Sequence, residues 1–132
     1  RIVIDAGLGV AKGLVEAGMD LRDLDLVFIT HLHSDHVLEL GPLLHTAWTT
    51  GLRAPVTVWG PAGTEDYWQG FLASMAFDCA IRVRDEGRVP LDQMVRLRNE
   101  FGVYGTDTGR MCVAALNSKN IDYVCASIAK VV

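Results

Sequence analysis

Thr30-His31-Leu32-His33-Ser34-Asp35-His36 places three imidazoles and one carboxylate within six positions. Imidazole nitrogen together with carboxylate oxygen suits a divalent transition metal: zinc first, with iron and manganese as alternatives. His31 and His33 are two apart, so an extended backbone turns both rings the same way, toward one ion. Asp35 and His36 follow at the turn into a helix and reach toward a second position. The candidate metal ligands are therefore His31, His33, Asp35 and His36. Asp35 is also the candidate catalytic group, since a carboxylate orients a water by accepting its proton. Thr30 and Ser34 read as turn-forming residues that fix the orientation of the ligands.

The elements around this run explain how it is presented. Leu24 to Ile29 is a short apolar stretch bounded by charge, the pattern of a buried β-strand. Metal-binding groups at its carboxyl end stand where α/β sheets hold their sites. The rest of the first part reads as strand (2–5), helix (about 10–17), the strand just described (about 25–30), helix (about 37–50), strand (56–59), helix (about 63–76) and strand (about 80–84). Alternating strands and helices make the fold class α/β.

The pattern H-x-H-x-D-H after an apolar strand resembles the metallo-β-lactamase superfamily of binuclear hydrolases. Ile2-Val3-Ile4-Asp5-Ala6-Gly7 is similar to that family's early strand with its Asp-x-Gly turn. Val56-Thr57-Val58-Trp59-Gly60-Pro61-Ala62-Gly63-Thr64 is similar to the next strand and its glycine-rich turn. The wording resembles the branch of ribonuclease Z and arylsulfatase-like enzymes, over about residues 1–90. The resemblance implies a partial αββα sandwich. It also implies a metal-dependent hydrolase of an ester, phosphodiester, sulfate ester or lactone, with two zinc ions when complete. Two such ions, about 3.5–4 Å apart, lower the pKa of a shared water toward about 7. Asp5 then has two open roles: it holds the ring N–H of a ligand histidine, or it caps the helix that begins near Gly9.

The same resemblance exposes what is missing. The family completes its site with a further histidine, a bridging aspartate and a last histidine, yet the four histidines here are His31, His33, His36 and His45. His45 reads as a helix-face residue. A three-ligand zinc site would remain under-ligated. Half a sandwich would also expose apolar surface and a long sheet edge. The expectation is that further segments or a second copy of the chain complete the site.

From about residue 91 to 132 the sequence resembles something else. Val95 to Tyr104 and Thr108 to Asn117 are similar to the C-terminal end of aspartate/aromatic aminotransferases. That gives two expected units, 1–90 and a small α+β segment at 91–132, joined near Gly87-Arg88-Val89-Pro90. The resemblance implies that Arg110 binds a substrate carboxylate, for which a planar guanidinium is suited. Asp107 only superficially resembles a bridging aspartate. The alternative to a hydrolase is a non-catalytic fragment or fusion with an incomplete metal site.

Composition narrows the rest. The chain has 132 residues, half of them hydrophobic and 21% charged, a globular composition. A net charge of −4 and arginines interleaved with acids at 82–100 argue against a nucleic-acid partner, leaving a small-molecule ester as the expected substrate. Cys79, Cys112 and Cys125 form no Cys-x-x-Cys pair and read as buried free thiols. With no leader or membrane span in the sequence, they point to the cytoplasm. Trp48, Trp59 and Trp68 read as core before pocket. Lys12, Lys119 and Lys130 match no cofactor-lysine motif, so no transaminase chemistry is expected. Incubation with pyridoxal phosphate is expected to leave no visible band that borohydride abolishes; a stoichiometric band would refute this.

Overall fold

In the computed structural model, residues 1–98 and 121–130 are described. The element order is β1 (Ile2–Ile4), α1 (Val10–Glu16), β2 (Leu26–Phe28), α2 (Ser34–Val37), α3 (Leu40–Thr49), β3 (Val56–Trp59), α4 (Thr64–Ser74), α5 (Ala76–Glu86), β4 (Val95–Arg98) and α6 (Ile121–Ala129). The four strands form one parallel sheet in the order β1-β2-β3-β4. The fold class is α/β, as expected.

Sequential parallel strands joined by right-handed crossovers put their connecting helices on one face. Alternation along the strands decides which side chains they cover. Val3, Val27, Val56, Val58 and Val95 are buried together with Leu40, Leu43, Leu44, Ala47 and Trp48 of α3. Trp68 of α4 joins the same core, so Trp48 and Trp68 are core residues, as their type suggested. The other face carries a row running Ile4, Phe28, Trp59 and Arg98 across the four strands. Here Ile2 is 49% and Ile4 68% exposed. On the same face Leu26, the partner of Ile2, is only 5% exposed, so among the described residues this side is open at its β1 edge and not throughout.

Three expectations about elements change. Residues 80–84 are not a strand; they lie in α5. The Arg/apolar alternation there imitates a strand, but Asp78–Arg82 and Arg82–Glu86 are ion pairs one helical turn apart. Gly87, at φ 66°, ends that helix in the left-handed region. The sheet's last strand is instead Val95–Arg98, so the sheet runs on past Pro90. The helix expected at about 37–50 is α3, which starts at Leu40, and a separate short helix, α2, precedes it across Leu38 and Glu39.

The thiols are not buried either: Cys79 is half-buried and Cys125 exposed, while Cys112 lies outside the described residues. Burial raises the Cys79 thiol above its usual range. No described helix is long and apolar enough to cross a membrane.

Leu44 is fully buried against the sheet. Leu44→Ala is expected to cost about 2–5 kcal/mol in urea unfolding. Phe77→Ala, at a side chain 80% exposed on α5, is expected to change stability by no more than about 0.5 kcal/mol.

Candidate metal centre

β1 ends at Ile4, and Asp5 continues its ladder by donating its N–H to the Phe28 carbonyl at 2.7 Å. Asp5 then turns into the left-handed region at φ 62°, where aspartate is among the better-tolerated residues. The turn aims its carboxylate at the end of β2. Thr30 donates its N–H to Oδ1 at 2.7 Å, and its hydroxyl stands 2.9 Å from both carboxylate oxygens. On the other side Oδ2 lies 2.6 Å from His36 Nδ1. A carboxylate oxygen accepts, so with Nδ1 as the donor in this contact Nε2 is the ring nitrogen left open to a metal. The cap of α1 is Gly9, without a side-chain hydrogen bond. Of the two roles open to Asp5, holding the histidine ring is the one it performs.

The backbone closes the same joint. Ala6 donates its N–H to the His36 carbonyl at 2.6 Å, and Glu39 donates to the Ala6 carbonyl at 2.8 Å. Gly7 lies directly under α2: a Cβ there would come within 1.9 Å of the Asp35 carbonyl oxygen. No larger residue fits at this crossing. That contact joins residues distant in sequence, and the only sequence signal for it is the Asp-x-Gly turn.

The candidate ligands gather beyond β2. His31 is buried, at 2% exposure, with Nδ1 2.9 Å from the Thr30 hydroxyl. The ring centroids of His31 and His36 are 3.9 Å apart, and those of His31 and His33 4.8 Å. His33 precedes α2 as its cap and is exposed; Ser34, the first residue of α2, is exposed too. Asp35 is 73% exposed, and its Oδ2 stands 3.5 Å from His36 Nε2. Two ligands each about 2.1 Å from one zinc at the tetrahedral angle stand roughly 3.4 Å apart. The Asp35–His36 spacing thus fits a shared ion. Among the described residues, no group of three or more His, Cys, Asp or Glu side chains is preset to hold a metal. The donor types and the His36 anchor fit a divalent metal; the full ligand geometry is not preformed.

Two other residues stand elsewhere. His45 on α3 bonds Asp78 of α5 through Nε2 at 2.8 Å and lies beside Trp48 and Phe71. It links helices, as its position on a helix face implied. Arg82 shares the Asp78 carboxylate and holds it below the usual carboxylate range. Arg110 and Asp107 lie outside the described residues.

Replacing Asp5 by Asn keeps a residue that accepts the left-handed backbone but places an amide N–H₂ where Oδ2 meets His36. His36 is then expected to change from the Nδ1–H to the Nε2–H tautomer. Imidazole ¹⁵N chemical shifts would report it, and an unchanged tautomer would show that Asp5 does not set the ring.

The family model described as the metallo-beta-lactamase superfamily matches residues 1–110. Ribonuclease Z of Mycobacterium bovis (strain BCG / Pasteur 1173P2) is 36% identical over 84 residues, covering 61% of this chain and 30% of that protein. Ribonuclease Z of Mycolicibacterium gilvum (strain PYR-GCK) is 31% identical over 110 residues, covering 80% of this chain and 38% of that protein. In the crystal structure of human tRNase Z, short form, the match has a TM-score of 0.50 at 28% identity, over 58% of this chain and 28% of that one. The chain therefore spans little more than a third, at most, of these relatives. With the family model running through the whole sheet and the histidine motif at its strand ends, the chain belongs to the metallo-β-lactamase superfamily.

Proposed function

We propose that this chain supplies the metal-binding motif of a metal-dependent phosphodiesterase acting on RNA, with transfer RNA as the substrate class. The observation that carries the reading is the anchored His36, Nδ1 tied to Asp5, with Asp35 Oδ2 3.5 Å from Nε2. In the proposed site His31 and His33 serve one ion, and Asp35 and His36 the other. Zinc suits the imidazole and carboxylate set, with iron and manganese as alternatives. Bound divalent ions would supply an ionised water at neutral pH and offset charge developing on the attacked phosphate. Asp35 takes up a proton from the attacking water at its carboxylate oxygen. Asp5 holds His36 in the tautomer that leaves Nε2 free to ligate, and Thr30 ties the same carboxylate to the His31 ring.

The RNA substrate replaces the expectation of a small-molecule ester and of no nucleic-acid partner. The relatives that overturn it are named ribonuclease Z and tRNase Z. The net charge of −4 misled because it belongs to a stretch matching only 28–38% of those proteins. Basic surface that meets a phosphate backbone need not sit beside the metal motif.

One observation favours a second reading. Among the described residues the ligands are not preset, as in a chain whose metal set is incomplete and which does no catalysis. Metal content separates the two: about two ions per site for the hydrolase, one loosely bound or none for the remnant.

Turnover on a transfer RNA substrate, measured with bound zinc in the same samples, tests the proposal. Chelation is expected to abolish cleavage. Asp35→Ala is expected to lower turnover by about 10²-fold or more, while His45→Ala lowers thermal stability and leaves turnover within about threefold, since its partner is Asp78. Cleavage that survives chelation would defeat the reading, and so would a His45→Ala loss beside an intact Asp35→Ala variant.

A further inference from the structure

Tyr67 lies on α4, outside the histidine motif in sequence, with its side chain half-buried. Its hydroxyl accepts the Gly41 N–H at 3.2 Å and donates to the Leu38 carbonyl at 2.9 Å. Leu38 caps the end of α2, and Gly41 is in the first turn of α3. Helix ends leave such donors and acceptors open. Here one hydroxyl serves the end of one helix and the start of the next. The residue placed to cap α3 is Glu39, and its side chain does not do so. Its carboxylate accepts the Gly9 N–H instead, at 2.9 Å. The α2–α3 bend is therefore clasped from α4.

The neighbours make this contact specific. Phe71, one turn beyond Tyr67, occupies the space over Gly41, where a Cβ would fall 2.3 Å from the ring. Burial raises the Tyr67 phenol above its usual range, so its donor proton stays in place at neutral pH. α2 is four residues long and carries both Asp35 and His36. From the β1 side it is held through Ala6. From the α4 side it is held through Tyr67. Asp35 is mostly exposed, with little packing around its side chain, so what the fold holds of it is its backbone position on α2.

We infer that Tyr67 is a positioning residue of the metal centre: its hydroxyl fixes the α2–α3 bend and thereby the placement of α2, with Asp35 and His36 together, against the end of β2 and the His31 ring. This rests on the metal-dependent reading proposed above. Nothing in the histidine motif signals it, because the contact joins residues 26 and 29 positions apart.

Tyr67→Phe removes the hydroxyl and keeps the ring. The full chain is titrated with cobalt(II) well below its unfolding temperature, and the visible ligand-field bands are followed. The expected result is cobalt binding weaker by about tenfold, with shifted bands and an unchanged far-ultraviolet circular dichroism spectrum. Thr50→Ala is the control. It loses hydroxyl bonds to the Thr46 and Ala47 carbonyls at the far end of α3, and is expected to lower thermal stability without touching cobalt affinity or bands. Fluorinated tyrosine at position 67, acidic enough to lose its proton near neutral pH, gives a second route: the cobalt bands are expected to follow its titration. Wild-type affinity and bands in Tyr67→Phe would overturn the inference and leave the metal centre standing. Equal weakening in Thr50→Ala would reduce Tyr67 to a merely structural residue. A wild-type chain that takes up no cobalt would remove the metal centre, and the inference with it.

Discussion

The Asp5 carboxylate is the contact on which the rest of the site depends. It joins three pieces of chain: the end of β1, the end of β2 through Thr30, and α2 through His36. Hydrogen bonds to an ionised group contribute about 1.5–3 kcal/mol each when shielded from water. The left-handed backbone at Asp5 costs on the order of 1 kcal/mol. Several such bonds outweigh that cost, so the strained turn is kept because it aims the carboxylate. Were the turn relaxed, Thr30 would lose its acceptor and His36 its orientation together.

The sheet explains why these pieces meet at all. Four parallel strands in sequential order present all their carboxyl ends along one edge, and α2 starts at that edge just beyond β2. The helices cover one face, and the valines of that face form the core. On the opposite face Ile2 and Ile4, at the β1 edge, are well exposed among the described residues while Leu26 beside them is buried; a parallel sheet ordinarily has both faces covered. The exposed edge accords with a chain that matches about 30% of a ribonuclease Z.

How much of this was legible in the residues follows from the range of each interaction. The strand before the motif, the motif's donors and the α/β class all rest on local pattern: an apolar run, a two-residue spacing, alternating elements. The helix at 76–86 was misread because Cys79-Ala80-Ile81-Arg82-Val83-Arg84 alternates in polarity, while the deciding Asp78–Arg82–Glu86 pairs span a longer window. β4 was missed because its charged residues, Arg96 and Arg98, face the open side of the sheet, where burial gives no signal. The choice between two roles for Asp5 was illegible for a different reason. His36 lies 31 positions away, and only folding brings them together.

The four candidate ligands also differ in how firmly they are held, and the difference has a pattern. His31 is buried with its ring tied to Thr30, and His36 is tied to Asp5. His33 and Asp35 are exposed. On the proposed assignment each ion receives one anchored imidazole and one exposed partner. An exposed side chain keeps its rotamer freedom until something binds it, and ordering it costs up to about 1.5–2 kcal/mol. Metal binding would supply that ordering, since metal binding and local ordering draw on the same free energy. The absence of a preset ligand group among the described residues is then compatible with this division as well as with an incomplete metal set. On that assignment one imidazole per ion would be held in advance, His31 by Thr30 and His36 by Asp5, and the second ligand would be ordered by the ion.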